Sequence, residues 1–471
     1  MHPLTEVPIS PRSPEAFFDV LDEKQAEDFR AVLERAVKVF EGRRVWNVNS
    51  TARGGGVAEM LASLIAYAQG AQVDARWIVI AGRPDFFRVT KRIHNQLHGS
   101  IGDGGELGAR ECKAYEDTLK LNGEALGEVV TERDIVILHD PQTAGLIDAA
   151  RATGAKVIWR CHVGLDMPND TAREAWNFLR SYVEKADAYI FSRLEFAWEG
   201  LDEDRLVVVP PSIDAFAPKN QEIAPDAVAA ILGRTGLVQT DGPAEPSFKR
   251  LDGSMDAVQR ATDMLGSPAP AADAKLVVQV SRWDSLKDPL GVMQGFVEHV
   301  LPQEDADLIL AGPAVEAVAD DPEGKEVLAR CVERWQSFDL ATKERVHLAA
   351  LPMDDLEENA AIVNALQRRA DVVVQKSLAE GFGLTVAEAM WKARPVVASR
   401  IGGIQDQIVD GESGLLVDDP TDLADYGDAV RKLLKDPETA DRMGAAAQDR
   451  VRERFLGPRH LTQYLDIIDA L

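Results

Sequence analysis

Short runs of apolar, mostly β-branched residues alternate with longer stretches of helical periodicity along almost the whole chain. In the first half the runs are Val45 to Asn49, Arg76 to Ile80, Ile135 to Leu138, Lys156 to Arg160, Ala188 to Phe191 and Leu206 to Val209. They are apolar at successive rather than alternate positions, as parallel strands covered on both faces are. Helical segments such as Gly56 to Gln69 and Thr171 to Lys185 lie between them. The alternation predicts a doubly wound α/β domain.

The pattern breaks at the Pro-rich stretch Pro210 to Pro218, and Lys219 to Pro270 mixes charge, Gly and Pro without a clear strand. This reads as a domain junction with an insertion. Strand–helix alternation resumes at Lys275 to Val280. It continues through Asp307 to Leu310, Arg345 to Leu348, Asp371 to Val374, Pro395 to Ser399 and Gly414 to Val417, before a helical, acidic end from Thr421 to Leu471. Two Rossmann-like domains are therefore expected, 1–218 and 219–456. They would face one another across a cleft at the carboxyl ends of both sheets, where such sheets bind ligands.

Composition narrows the partners. The 471 residues suit two or three domains, and 45% hydrophobic residues supply their cores. A formal charge of -26 argues against nucleic acid or a membrane surface as a partner. Any anionic substrate must then meet cations placed locally. Cys112, Cys161 and Cys331 have neither metal-ligand nor redox spacing, which fits a reducing compartment. Met1 to Phe18 carries Pro and acidic residues where a secretory leader needs an apolar run, and no stretch approaches spanning length. A soluble, cytoplasmic protein is expected. A homodimer is left open.

Candidate cations and a glycine turn are both present. Glu380-Gly-Phe-Gly-Leu-Thr-Val-Ala-Glu388 follows the run Val372 to Val374 and opens a helix to about Trp391. Gly381 and Gly383 permit close backbone approach. Thr385 stands at a helix start, where free N–H groups favour a phosphate. Glu380 and Glu388 flank the turn. The order carboxylate, N–H cradle, carboxylate matches a nucleotide-sugar, with hydroxyls at both ends and phosphates between. Ser281-Arg-Trp-Asp-Ser-Leu-Lys287 follows another strand and places Arg282 and Lys287 on a loop at its carboxyl end. Arg suits bidentate phosphate contact and Lys supplies a point charge. Arg53-Gly-Gly-Gly-Val-Ala-Glu59 is a third, weaker phosphate-type turn, without the G-x-G-x-x-G order of a dehydrogenase. His139 and His162 end strands in Leu138-His-Asp-Pro-Gln142 and Trp159-Arg-Cys-His162, without metal-ligand spacing.

Together these segments resemble the retaining GT-B glycosyltransferases, the group that includes sucrose, glycogen and trehalose synthases. Gly54-Gly-Gly-Val-Ala-Glu59, Val89-Thr-Lys-Arg-Ile-His-Asn95, Leu138-His-Asp-Pro-Gln142, Trp159-Arg-Cys-His162 and Asn364-Ala-Leu-Gln367 are similar to the trehalose glycosyltransferring synthases and their retaining trehalose phosphorylase relatives. The resemblance implies a trehalose-forming glucosyltransferase with an NDP-glucose co-substrate, a glucose acceptor, no resident cofactor and no metal. It implies that Arg282 and Lys287 neutralise the donor diphosphate, beside backbone N–H groups near Gly383, Leu384 and Thr385. Glu388 would bind the ribose, Glu380 the donor sugar, and Gly55 and Gly56 would close over the phosphates. His139 would sit near the reacting carbon, with the acceptor near Lys91, Asn95 and His162. The final helix, Gly457 to Leu471, would return to the first domain.

Without an evident nucleophile, retention implies front-face attack, with the leaving phosphate taking the acceptor's proton and catalysis by charge stabilisation and positioning. Two other readings stay open here: a phosphorylase converting trehalose and phosphate to glucose 1-phosphate and glucose, and a non-catalytic sugar- or nucleotide-binding protein on a transferase fold. Glu388 favours the nucleotide donor, since a phosphorylase has no ribose to bind.

Overall fold

The computed structural model describes residues 3–52, 55–240, 244–266, 268–315 and 322–471. They form two compact units, Met1–Ser212 with Phe455–Leu471, and Ile213–Arg454. The sequence predicts these divisions at 218/219 and 456/457. The final segment is anchored to the first unit through Arg459, whose guanidinium donates to the carbonyls of Pro210 and Pro211 at 2.7 and 2.9 Å.

The first unit holds seven strands: β1 (Leu4–Glu6), β2 (Arg44–Asn49), β3 (Asp74–Ile80), β4 (Ile135–His139), β5 (Lys156–Cys161), β6 (Ala188–Phe191) and β7 (Leu206–Val208). Their order across the sheet is β1-β3-β2-β4-β5-β6-β7. β1 is antiparallel to β3, and the other pairs are parallel. Two cores explain the unbroken apolar runs. Val136, Leu138, Val157 and Trp159 enter one. Ile135, Ile137 and Ile158 enter the other, together with Leu465, Ile467 and Ile468 of the last helix, Gly457–Ala470. Each strand is thus covered on both faces.

The second unit begins with the helix Pro225–Thr235, then a hairpin of β8 (Ser247–Lys249) and β9 (Met255–Ala257). The stretch Lys219 to Pro270, in which the sequence shows no clear strand, contains both. These strands have three residues each and follow Gly- and Pro-rich chain, so no periodicity announces them. Next come β10 (Asp263–Met264), β11 (Lys275–Val280), β12 (Ala306–Pro313), β13 (Val346–Leu351), β14 (Val372–Gln375), β15 (Val396–Ser399) and β16 (Leu415–Val417). The sheet order is β10-β13-β12-β11-β14-β15-β16. Only β10 pairs antiparallel.

Each sheet has one place where the strand order reverses. It lies between β2 and β4 in the first unit and between β11 and β14 in the second. Crevices at the carboxyl ends of such strands are where doubly wound sheets hold ligands. The glycine turn and His139 follow β2 and end β4; Arg282, Lys287 and the Glu380 turn follow β11 and β14.

Candidate functional site

In the second unit, the loops after β11 and β14 are tied together by side chains and backbone alike. Lys287 and Glu380 form an ion pair through Nζ and Oε2, their side chains only 17% and 11% exposed. Leu378 N–H donates to the Leu286 carbonyl at 2.7 Å. Gln279, within β11, donates to the Lys287 carbonyl at 2.9 Å. Beneath lies a second, more deeply buried cation. Lys376, fully buried, pairs with Asp288 and donates to the Pro420 carbonyl at 2.6 Å. Asp288 also caps the helix Pro289–Gly295 by accepting from Gly291 N–H at 3.0 Å. Lys376 is therefore committed to scaffolding, while Lys287 reaches the turn. Arg282 is mostly exposed and pairs with Asp284 at 3.0 Å.

The turn itself is shaped by close backbone approach. Gly383 has φ 80 and caps the helix Leu384–Trp391, with no side-chain cap hydrogen bond among the described residues. That leaves the donors at Leu384 and Thr385 to a ligand or solvent. Behind the turn Gly402 has φ +48, and a Cβ there would lie 1.9 Å from the Glu380 carbonyl oxygen. Gly403 N–H donates to the Gly381 carbonyl at 2.9 Å. Thr385 hydroxyl donates to Gln375 Oε1 at 3.1 Å, pinning the helix start to the end of β14.

Glu388 lies one turn further on and is 4% exposed. Its Oε1 stands 3.8 Å from Lys219 Nζ. Its Oε2 is buried without a hydrogen-bond partner among the described residues. Lys392 follows one turn later. Its ammonium donates to Asn220 Oδ1, Gln367 Oε1 and the Glu388 carbonyl at 3.1, 2.8 and 2.9 Å. Burial pulls its pKa down to about 7, against the opposing pull of Glu388. A carboxylate atom with no donor, held at the end of a glycine turn, is suited to accept from hydroxyls.

In the first unit, Gly55, with φ 86, caps the helix Gly56–Gly70. Arg53 and Gly54 lie outside the described residues. His139 and His162 are buried and stacked, ring centroids 5.3 Å apart. His139 Nε2 lies 3.2 Å from Asn47 Oδ1 and its Nδ1 lies 3.0 Å from His162 Nε2. With Asn47 accepting, His139 carries its proton on Nε2, and its Nδ1 accepts from His162 Nε2–H. Burial, and then the charge of Arg160, drive the His139 pKa down to about 3 and that of His162 well below the usual imidazole range. Asp140 has φ 64 and accepts from His162 N–H at 2.8 Å, while burial pushes its carboxyl up to about 7. The structure thus unites His139 and His162. Lys91 is exposed and Asn95 half-buried, one turn apart on the helix Pro84–Leu97.

Sequence reasoning missed Lys376, Asn47, Asp140 and Lys392. Asp140 stood inside a quoted motif. A buried position for Lys376 could have been read from its place directly after β14, before a turn that must be held. Asn47 and Lys392 gave no local signal. Among the described residues, no group of three His, Cys, Asp or Glu could hold a metal ion, and no helix is long and apolar enough to cross a membrane.

Residues 47–198 match the family described as trehalose synthase, N-terminal domain, and residues 267–450 match glycosyl transferases group 1. The chain is 36% identical over 451 residues to a trehalose synthase of Pyrococcus horikoshii, with 94% of each chain covered. It is 25% identical over 429 residues to a trehalose phosphorylase of Grifola frondosa, covering 86% of this chain and 54% of that one. Its fold is that of an alpha,alpha-trehalose-phosphate synthase (UDP-forming) from Burkholderia xenovorans, solved in complex with glucose-6-phosphate. The TM-score is 0.66 at 15% identity, over 90% of this chain and 100% of that one.

Proposed function

This chain belongs to the trehalose synthase family of group 1 glycosyltransferases, and from that premise we propose that it transfers glucose from an NDP-glucose to glucose, with retention, forming trehalose. The observation that carries the donor assignment is the buried, unpartnered Oε2 of Glu388, next to an uncapped helix start and the Lys287–Glu380 pair. A nucleotide-sugar meets all three. Its ribose hydroxyls donate to Glu388. Its diphosphate takes the N–H groups near Gly383, Leu384 and Thr385, with charge from Lys287 and Arg282. Glu380 then turns to the sugar hydroxyls, and Gly55 and Gly56 supply backbone to the phosphates.

In this reading the glycosidic bond to the leaving diphosphate breaks as charge builds on its oxygen. Lys287 and Arg282 stabilise that charge, and the acceptor hydroxyl attacks the same face of the sugar, giving its proton to the departing phosphate. His139 lies by the reacting carbon. Lys91, Asn95 and His162 serve the acceptor. A neutral imidazole pair suits this place, because it adds no charge that would compete for the phosphate, and His162 Nδ1 is the ring nitrogen that the His139–His162–Asn47 chain leaves over.

The test is product formation together with ligand protection. The protein is incubated with glucose and each NDP-glucose in turn, and separately with trehalose and inorganic phosphate. A nucleoside diphosphate should raise the thermal midpoint by ligand linkage, and Glu388→Ala should reduce that rise. Protection by inorganic phosphate and by no nucleotide, with glucose 1-phosphate as product, replaces this reading with the phosphorylase.

A further inference from the structure

Arg160 presents a difficulty that the sugar chemistry does not resolve. Its side chain is fully buried in the first unit, and Nε, Nη1 and Nη2 all lack a hydrogen-bond partner among the described residues. Arginine keeps its charge and five N–H donors in almost any setting, and a buried charge without compensation is strongly unfavourable.

The surroundings show what kind of group is missing. Along β5, Ile158 joins the core that includes the last helix, so Arg160, two residues on, shares that face. In the sheet register Arg160 stands beside His139 of β4 and beside Ile190 of β6. Ser192, two residues past Ile190 and just beyond the strand end, is buried, and its Oγ has no hydrogen-bond partner among the described residues. His460, on the last helix, is fully buried, with Nδ1 2.9 Å from Ser212 Oγ and Nε2 unpartnered. When Ser212 donates to Nδ1, the His460 proton sits on Nε2. Arg160 is an electrostatic neighbour of both His460 and Arg459. The five N–H groups of Arg160 and the Ser192 O–H are unmatched donors among the described residues, and the imidazole N–H joins them in that tautomer. Asp140, the nearby carboxylate, spends Oδ1 on His162 N–H and makes no hydrogen bond to Arg160.

We propose that Arg160, Ser192 and His460 form a binding site for a small inorganic monoanion of the halide class, adjoining the His139–His162 pair. A set of donors around a fixed positive charge, none of them bonded to the neighbouring Asp140 carboxylate or Tyr464 hydroxyl, selects an anion over water, which must also donate. The complete burial of Arg160 selects a monatomic ion over a sugar or a phosphate ester. A bound anion would offset the guanidinium charge beside the paired histidines and hold the last helix to the sheet.

The probes are chloride and bromide. Thermal midpoints of the wild type, Ser192→Ala and Arg160→Met are followed as sodium chloride replaces sodium gluconate at constant ionic strength. The wild type should gain stability along a saturating curve. Ser192→Ala should need several-fold more chloride, and Arg160→Met should respond no differently to the two salts. Bromide-soaked crystals should show anomalous scattering within hydrogen-bond reach of Arg160 and Ser192. Should Arg160→Met fail to fold, Ser192→Ala and the bromide map decide. A wild-type response that does not saturate, equal responses in wild type and Ser192→Ala, or a water in place of bromide overturns the proposal.

Discussion

Replacing Lys287 by methionine separates two jobs that one ion pair performs. The Met side chain keeps most of the aliphatic stem and removes the charge. Glu380 is then left with 11% exposure and no cation at Oε2. Removing one partner of a fully buried pair costs about 3–5 kcal/mol, and of an exposed pair about 0–1 kcal/mol. The burial here places Lys287→Met at about 2–4 kcal/mol of destabilisation. The catalytic loss has a different origin, the charge on the departing diphosphate, and should be roughly 10²–10³-fold in kcat/KM. Adding Glu380→Gln to Lys287→Met removes the stranded carboxylate, so stability should recover while turnover stays low. Urea denaturation gives the first quantity. Initial rates of trehalose formation, measured on protein shown to be folded, give the second. Turnover near the wild-type level in folded Lys287→Met, or recovery of turnover in the double variant, would refute the assignment.

Three further outcomes are expected. Glu388→Gln should weaken nucleoside diphosphate binding by about 1.5–3 kcal/mol, roughly 10- to 150-fold in Kd, as read by calorimetry, because a charged acceptor becomes a neutral one. Gly402→Ala should push the Glu380 carbonyl out of place, since its Cβ would come within 1.9 Å of that oxygen; donor KM should rise, alongside a stability loss of about 1–3 kcal/mol from overpacking. The third concerns acid. His139 titrates near 3 when folded, far below the imidazole of an unfolded chain, so the unfolded state binds more protons below about pH 6.5. Stability is present above that pH and is lost on acidification, by about 1.4 kcal/mol per pH unit for each buried imidazole. His139→Asn should flatten the slope of urea midpoints between pH 6 and 4.5, and an unchanged slope would tell against the buried neutral pair.

The central strands were legible because both their faces are buried, which writes uninterrupted apolar runs into the chain. β1 and β10 left no such trace. They are three- and two-residue antiparallel edges, with one neighbour each and no second core to fill. The glycine turn and its flanking glutamates could be read because local spacing carries them. The bond between Lys287 and Glu380 joins positions 93 apart in the chain, and only the reversal of strand order between β11 and β14 brings them together. In the sequence Arg160 is simply the last residue of the apolar run Lys156 to Arg160. A charged residue at a strand end is usually solvated, and nothing in the periodicity says that a helix from the far end of the chain covers it.

That covering helix also sets an order of events during synthesis. Residues 213–454 are continuous, so their core can close as soon as they leave the ribosome. The first sheet emerges earlier yet must wait, because Leu465, Ile467 and Ile468 complete one of its two faces. Until the last segment arrives, the apolar face around Ile135, Ile137, Ile158 and Ile190 is covered only in part, by Ala36, Ala58, Leu61 and Ile65 of earlier helices. The half made first is therefore the half finished last, and a nascent chain stalled anywhere before Gly457 exposes the part of that face that the last helix covers to chaperones and to other chains.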